Sequence, residues 1–382
     1  MNTAHAPSFV WQLRAWPCWT YDGSAIAESL AQARLHQGKV LGKAQAIGVT
    51  GEALAQVVND IWVGEVISTA AIEGQKLDFD QVRSSVMRML GLAGAGPSSR
   101  HVDGLVEVMH DAVKNFQVPL DVDRLCRWQS ALFPGGTSGI QRIEVGKFRT
   151  FIDPMQIVSG RPGREVIHYR APESERVPEE MARFIEWFNI SNQADGIVRA
   201  AIAHLWFETI HPFEDGNGRV GRAIMDMAIA QDAKSEMRLY SMSRQFQENR
   251  AAYYAALNEA QKGDLDITSW LVWFATQFSE ACMKSEMLID RALEKARFWS
   301  VLSEHAFNER QRKTLHKLLD AGDGGFLGGL TAEKYCKITG VSKATATRDL
   351  TELLLKKALV VHGIGKATKY YVNVPGWKHG SE

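Results

Sequence analysis

Cysteine is scarce in this chain and long hydrophobic runs are absent, and both facts exclude classes of protein. The four cysteines, Cys18, Cys126, Cys282 and Cys336, are far apart and form no CxxC pair. A disulfide framework, a thioredoxin-type site and a zinc finger are therefore not indicated. No apolar run approaches the roughly 18 residues that a membrane-spanning helix requires. The N-terminal residues lack a basic stretch followed by an apolar one, so we expect no signal peptide and a cytoplasmic protein.

Net charge is also lacking, since 44 Lys and Arg residues balance 44 Asp and Glu residues. This balance argues against a protein that coats nucleic acid along its whole length, but it does not exclude one basic domain. Residues 310–382 contain 13 Lys and Arg against 6 Asp and Glu. The C-terminal part is therefore a basic module within a neutral chain.

The 382 residues, 45% of them hydrophobic, predict a folded protein of two or three domains. Apolar residues recur at helical spacing over most of the chain, so we predict a mainly α-helical fold. The short runs "QIVSG" and "EVIHY" flank Gly160, Pro162 and Gly163, which predicts one β-hairpin among the helices. The predicted regions are an N-terminal helical region (1–100), a helical domain that carries the main motif (101–285), a helical linker (286–305) and a C-terminal domain (306–382).

The C-terminal domain has the pattern of a winged helix-turn-helix. Gly340 marks a tight turn, Ser342 is a candidate N-cap for the second helix, and "ALVVHG" and "TKYYVNV" alternate as strands. Lys343, Thr345 and Arg348 cluster near the start of that helix, where a recognition helix meets bases and phosphates. We therefore expect duplex DNA as a partner, with a protein-interaction domain as the alternative.

The stretch "HPFEDGNGRVGR" (211–222) concentrates charged residues and glycines. Its GxGxxG spacing resembles a dinucleotide fingerprint, but a helical pattern precedes it where that fingerprint needs a strand. The P-loop spacing GxxxxGK(S/T) is absent. His204, Glu208 and His211 could suggest zinc, yet the HExxH arrangement is missing, and we interpret His204 as a core histidine.

A loop between two helices explains the motif better. Gly216, Asn217 and Gly218 can turn their N–H groups inward as a nest for an anion, at the positive end of the following helix. Arg219 and Arg222 are three residues apart, and two guanidiniums beside a nest suit a polyphosphate. Asp215 could hold a phosphate-bound Mg²⁺, and His211 could take a proton from an incoming hydroxyl.

HPFEDGNGRVGR matches HxFx(D/E)GNGRxxR, the signature of Fic-domain proteins, at every specified position. The chain resembles this family over about residues 50–280, including "GKFRT" and "ENRAAYYAALNEAQKGD". The resemblance implies a Fic-type helical bundle with a β-hairpin flap, and transfer of AMP from ATP to a hydroxyl of a target protein or of itself. By the same resemblance we expect a homodimer.

The resemblance assigns a role to each matching residue. His211 would be the general base and Asp215 the Mg²⁺ ligand. The flap that clamps the target would be Ile157, Val158, Ser159 and Gly160. The ATP site would comprise Asp215, Gly216, Asn217, Gly218, Arg219, Val220, Gly221 and Arg222, with Tyr254 and Gln261 at the adenine.

Upstream, "STAAIEG" (68–74) matches (S/T)xxxE(G/N) through Thr69, Glu73 and Gly74. In the Fic family this segment is an inhibitory helix, here about residues 55–74, whose glutamate pairs with the second arginine of the motif, Arg222. The alternative is an ordinary helix C-terminus, with Gly74 just beyond it and Glu73 exposed.

The leading interpretation is an autoinhibited protein adenylyltransferase. One alternative is a transcription regulator in which this fold senses a nucleotide and transfers nothing. A second is an enzyme that removes AMP from modified proteins, with Glu73 positioning water. Transfer of UMP or another nucleotide is also open, because the motif does not encode the base.

Overall fold

A computed structural model describes residues 9–47, 52–159, 166–190, 195–322, 326 and 328–377. The chain forms two compact units, Met1–Ala46 with Ala55–Glu286, and Ile47–Leu54 with Met287–Glu382. Both sides of the predicted boundary at residue 100 therefore fall in the first unit. Within the described ranges, no helix is both long enough and apolar enough to cross a membrane.

The mainly helical prediction is confirmed for the first unit. Several of its helices begin at side-chain caps; the Ser99 hydroxyl accepts from Val102 N–H, and the Asp121 carboxylate from Arg124 N–H. The helices are α1 (Gly23–Ile47), α2 (Glu52–Ile72), α3 (Phe79–Met89), α4 (Arg100–Lys114), α5 (Val122–Leu132), α6 (Val177–Ile190), α7 (Gly196–Ile210), α8 (Asn217–Ala233), α9 (Met242–Glu248), α10 (Arg250–Lys262) and α11 (Thr268–Val301), the last of which continues into the second unit.

Helix α7 lies at the centre of the first unit, and every one of its residues is buried. A helix surrounded by protein needs no polar face, which explains why "GIVRAAIAHLWFETI" is apolar nearly all round. Its neighbour α8 is buried from Asn217 to Ala230 apart from Gly218. The motif loop therefore joins two core helices, and its position is fixed from both ends.

The predicted hairpin is present as β3 (Gln156–Ser159) and β4 (Val166–Arg170), which follow a smaller pair, β1 (Thr137–Ser138) and β2 (Gln141–Arg142). Strands β3 and β4 are antiparallel, with Gln156 opposite Arg170 and Ser159 opposite Val166. Gly160, which we assigned to the flap, lies outside the described residues.

In the part of the second unit that the structure describes, three further helices and two strands follow in the predicted order. They are α12 (Glu309–Ala321), α13 (Ala332–Thr339), α14 (Lys343–Leu355), β5 (Leu359–His362) and β6 (Lys369–Val372). Gly340 has φ +75° at the turn, and the Ser342 hydroxyl accepts from Thr345 N–H at the start of α14. Strands β5 and β6 pair antiparallel. The winged-helix identity of this unit stays a prediction.

The segment predicted as a linker, 286–305, is largely the C-terminal half of α11. Phe298 and Leu302 from this segment are buried in one hydrophobic cluster with Leu315, Leu350 and Leu353. Burial of Phe298 and Leu302 therefore packs the C-terminal part of this segment into the core of the second unit.

Candidate active site

A cavity of about 460 Å³ in the first unit gathers most of the predicted site residues. The predicted residues that line it are Glu73, Ile157, His211, Asp215, Gly216, Asn217, Gly218, Arg222, Tyr254 and Gln261. Arg219 is almost fully buried, and Val220 is wholly buried in the core. The roles that the resemblance assigns to these residues stay predictions.

The motif loop is held by its own side chains. Phe213 is fully buried and anchors the loop. The Asn217 side chain accepts from Phe213 N–H at 2.9 Å and donates to Phe213 O at 2.8 Å. Because that amide is engaged within the loop, the group that Asn217 can offer an anion is its backbone N–H. Gly216 has φ +92°, a conformation that favours glycine and lets α8 start at once.

His211 ends α7 in the left-handed conformation, with φ +51°. This conformation is uncommon for a residue with a Cβ and costs roughly 1 kcal/mol or more, so neighbouring contacts must hold it. Arg149 supplies them: its Nε donates to His211 O at 2.8 Å, and its Nη2 donates to Ile210 O at 3.2 Å and to Pro172 O. Arg149 is buried and belongs to "GKFRT", but the sequence reasoning assigned it no role.

Arg149 also affects the charge of the imidazole. Burial, followed by the positive charge of Arg149, lowers the pKa of His211 to about 4. The imidazole is therefore neutral near pH 7, which is the form that a general base requires. The backbone contact and the electrostatic effect thus come from the same guanidinium.

Glu73 lies against Arg222, and its Oε1 accepts from Arg222 Nη2 at 2.7 Å. Arg222 is 2% exposed and also donates from Nε to the Thr69 hydroxyl at 2.7 Å. Burial would lower the pKa of Arg222, but the Glu73 carboxylate raises it above its ordinary value. Gly74 has φ +76° and closes α2 just after this carboxylate. Residues 68–74 are therefore a helix C-terminus with Gly74 just beyond it, and they also place Glu73 in an ion pair with Arg222.

The Glu73 carboxylate also sits on the backbone of the predicted anion nest. A Cβ added to Gly218 would lie 2.2 Å from Glu73 Oε1. Gly218 is in the first turn of α8, where unpaired N–H groups and the helix dipole favour a negative charge. Glu73 therefore occupies both the guanidinium and the helix end that would attract a phosphate.

The first arginine of the motif is engaged by other groups. Arg219 Nη1 donates to Gln75 Oε1, and Nη2 to Asp215 Oδ1, both at 3.3 Å, while its guanidinium lies 4.8 Å from the centre of the Phe133 ring. The Asp215 side chain is 38% exposed at the cavity and accepts from the Ser138 hydroxyl. One partly exposed carboxylate at the cavity is a ligand type that fits Mg²⁺, which keeps several waters and binds substrate phosphates.

The far side of the cavity is formed by α10. Tyr253, Tyr254 and Leu257 supply aromatic and apolar surface there. Asn258 Oδ1 and Gln261 Nε2 are buried, and among the described residues neither atom has a hydrogen-bond partner. One orphan acceptor and one orphan donor match the amino group and ring nitrogen of adenine. We did not predict Asn258, although it lies on the same helix face as Tyr254 and Gln261.

His204 is buried beneath the cavity, and its Nε2 is 2.8 Å from the Tyr253 hydroxyl. Burial, with the charge of Arg222, lowers its pKa to about 3. This environment agrees with the interpretation of His204 as a core histidine.

Two family models match separate parts of the chain. Residues 119–229 match the Fic/DOC family, and residues 9–92 match a domain of unknown function, DUF4172. Protein adenylyltransferase fic-1 of Caenorhabditis briggsae is 27% identical over 224 residues, which are 56% of this chain and 39% of that protein. The probable protein adenylyltransferase aq_aa38 of Aquifex aeolicus is 30% identical over 95 residues, 25% of this chain and 27% of that protein.

The chain thus spans about two fifths or less of the length of these relatives. The crystal structure of a Fic family protein from Desulfovibrio desulfuricans superposes with a TM-score of 0.53 at 19% identity, over 94% of this chain and 99% of that one. This similarity shows a common fold.

Proposed function

Because this chain carries a Fic domain, we propose that it is an autoinhibited protein adenylyltransferase. It transfers AMP from ATP to a Ser, Thr or Tyr hydroxyl of a target protein and of itself. The observation that carries this proposal is the cavity in which His211 and Asp215 face the Glu73–Arg222 pair and the orphan polar atoms of α10. The residues that we propose as the general base, the metal ligand, the phosphate site and the adenine pocket thus line one cavity.

In the reaction, the hydroxyl oxygen of the target attacks the α-phosphorus of ATP, and the bond from that phosphorus to the bridging oxygen breaks. Pyrophosphate leaves, and His211 takes the hydroxyl proton. Arg222 and the N–H groups at the start of α8 stabilise negative charge on the phosphate oxygens. Asp215 would hold Mg²⁺, which offsets phosphate charge when bound. We call the arrangement with Glu73 bound to Arg222 the closed state. In it Glu73 competes with the γ-phosphate for Arg222, so ATP cannot place its α-phosphorus in line with the attacking hydroxyl.

The flap fits a target-binding role. Met155 and Ile157 line the cavity, and among the described residues β3 pairs with β4 along one side. A target segment could add as a strand to the other side of β3, with its hydroxyl directed toward His211.

The proposal is tested with ATP labelled radioactively at the α-phosphate or, separately, at the γ-phosphate. Label on protein from the α position alone supports AMP transfer, whereas label from the γ position would indicate phosphorylation. No label from either, in a protein that binds ATP, would favour the nucleotide-sensing regulator. Loss of AMP from a premodified protein would favour the removal reaction.

Base selection gives a separate prediction. Asn258 Oδ1 and Gln261 Nε2 would pair with adenine, so Asn258→Ala and Gln261→Ala should each raise the KM for ATP about tenfold, by roughly 1–3 kcal/mol per lost contact. The preference for ATP over UTP should fall by a similar factor. Competition between the two labelled nucleotides measures this. An unchanged preference in both variants would place the base elsewhere.

We also propose that the second unit binds duplex DNA. Lys343 and Arg348 are exposed on α14, while the nearby Asp349 is buried and bonded to Arg310 and to the Tyr335 hydroxyl. The carboxylate of Asp349 is therefore already paired with Arg310, and the exposed face of α14 that carries Lys343 and Arg348 is basic. Ile364, between β5 and β6, is 92% exposed.

DNA affinity should fall steeply with salt, because bound phosphates release counterions. Lys343→Ala combined with Arg348→Ala should weaken binding and lower the slope of log affinity against log salt by about 1 to 2. Fluorescence anisotropy with a duplex at several salt concentrations measures both. Equally negligible binding by the parent and the variant would leave a protein-interaction role.

A further inference from the structure

Glu208 lies one turn before His211 on α7 and lines the same cavity. The residue is 4% exposed, and its Oε2 is 3.7 Å from His211 Nδ1. Its Oε1 has no hydrogen-bond partner in the part of the chain that the structure describes. A buried carboxyl oxygen without a partner is costly, so packing alone does not explain this residue.

The neighbouring helix leaves room for this carboxyl group. A Cβ added to Gly221 of α8 would lie 2.5 Å from Glu208 Oε1 and 3.3 Å from His204 Nδ1. The last glycine of the motif therefore allows α8 to approach α7 with the carboxyl group between them. A larger residue at position 221 would therefore displace this carboxyl group.

We propose that Glu208 is a positioning residue for the base of the proposed transferase, on which this inference rests. Its carboxylate accepts Nδ1–H of His211 and stabilises the imidazolium that forms when Nε2 takes the target's hydroxyl proton. In the closed structure Nδ1 is also 3.4 Å from the Glu208 carbonyl oxygen. Both acceptors near Nδ1 thus belong to one residue, and Nε2 remains the nitrogen that accepts a proton.

The distance of 3.7 Å is longer than a hydrogen bond. Catalytic hydrogen bonds are often long in empty sites and shorten when the reactants are bound. A protonated imidazole attracts a carboxylate, so the transfer of the hydroxyl proton itself favours the shorter contact. The Ser-His-Asp arrangement uses a carboxylate in the same way, to orient the imidazole and stabilise its charge.

The charges around Glu208 connect it to the closed state. Burial, followed by the charge of Glu73, raises the pKa of Glu208 to about 8, while Arg222 opposes this rise. At neutral pH the closed state therefore favours the protonated carboxyl, which is a poor partner for imidazolium. Withdrawal of Glu73 removes one negative neighbour and favours the carboxylate. Among the described residues, the charged and titratable groups around the Glu208–His211 pair are Glu73, Arg149, Tyr169, His204, Asp215, Arg222 and Tyr253.

The test uses the full chain with Glu73→Gly as the parent, because that variant should be active. Adding Glu208→Gln should lower kcat for AMP transfer by about 10- to 100-fold and leave KM for ATP unchanged. The acid limb of the pH–rate profile should move to lower pH by at least about one unit, because loss of the carboxylate leaves the pKa of His211 lowered by burial and by the charge of Arg149. Glu208→Asp should restore part of kcat and part of the limb.

Glu180→Gln in the same parent is the matched control. Glu180 is 2% exposed on α6 and does not line the cavity. Its Oε2 accepts from Trp16 Nε1 and its Oε1 from Arg176 Nη2, so glutamine keeps one of these two bonds, and the variant controls for the loss of a buried carboxylate away from the site. Its kcat and pH profile should match the parent. An equal loss of kcat in both variants, or a loss in Glu208→Gln without a shifted acid limb, would indicate packing and overturn the inference.

Two further outcomes separate the inference from the function beneath it. If the Glu73→Gly parent is active and Glu208→Gln keeps its kcat and profile, the role of Glu208 alone is refuted. If the folded parent transfers no AMP, the proposed function fails, and the role of Glu208 fails with it.

Discussion

Glu73→Gly should raise incorporation of AMP by at least about tenfold. The carboxylate holds Arg222 at 2.7 Å and lies on Gly218, so its removal frees the guanidinium and the start of α8 together. Removing one partner of a fully buried ion pair costs about 3–5 kcal/mol of free energy. The Glu73 side chain is 29% exposed, so we expect a smaller free energy for the Glu73–Arg222 pair. Each 1.4 kcal/mol corresponds to about a factor of ten. Self-labelling from α-labelled ATP, measured over time, gives the rate.

The two partners of this pair should not behave alike. Arg222→Ala also breaks the pair, but it removes the group that binds the outer phosphate. Arg222→Ala should therefore be poorly active alone and in combination with Glu73→Gly. High activity in either variant would show that Arg222 is not needed for ATP, and the competition model would be wrong.

Glu73→Gln distinguishes the effect of the Glu73 charge from an effect of Glu73 on the end of helix α2. Glutamine keeps the length of the side chain and the helical backbone before Gly74, so α2 should end as before. If charge competition is the mechanism, this variant should gain part of the activity of Glu73→Gly. A helix-capping role for Glu73 predicts the opposite pattern, a lower melting temperature and no gain of activity.

The motif loop could be predicted from the sequence because its requirements are local. Gly216 must adopt positive φ, Phe213 must be buried and α8 must begin at once, and each need is met within a few residues of the others. The contact between Glu73 and Arg222 spans 149 positions. It could be anticipated only through the resemblance to a family, because a short motif at a helix end does not specify its partner.

Other parts of the site depend on packing that no local pattern encodes. Arg149 reaches the end of α7 from a loop 62 positions away, and its partners are backbone carbonyls, which carry no sequence signature. Nothing in the sequence distinguishes Asn258 from other helical residues. Only the folded structure shows that it lines the cavity and that its Oδ1 is buried without a partner among the described residues. The predicted linker had helical spacing but no sign of where its apolar face packs, so the role of Phe298 and Leu302 in a core was missed.

The structural support for His211 leads to the second large effect. Arg149 holds the backbone of His211 in a left-handed conformation, and burial keeps the imidazole neutral, so the residue is prepared to take a proton. Its side chain is 12% exposed and forms one part of the cavity wall, apart from the Arg222 site. Removal should therefore affect proton transfer far more than ATP binding.

In the Glu73→Gly background, His211→Ala should lower AMP transfer by roughly 10²- to 10⁴-fold, the usual contribution of a general base. The Kd for ATP, measured by calorimetry, should stay within a few-fold of the parent, because an interaction lost only in the transition state lowers kcat without weakening ground-state binding. The control is Phe148→Leu, which alters a partly buried ring that packs on Phe213 and leaves the imidazole in place. If His211→Ala keeps the parent rate, another group takes the hydroxyl proton, and the assignment of the base must be abandoned. If it instead loses ATP affinity in proportion to its rate, His211 is part of the phosphate site.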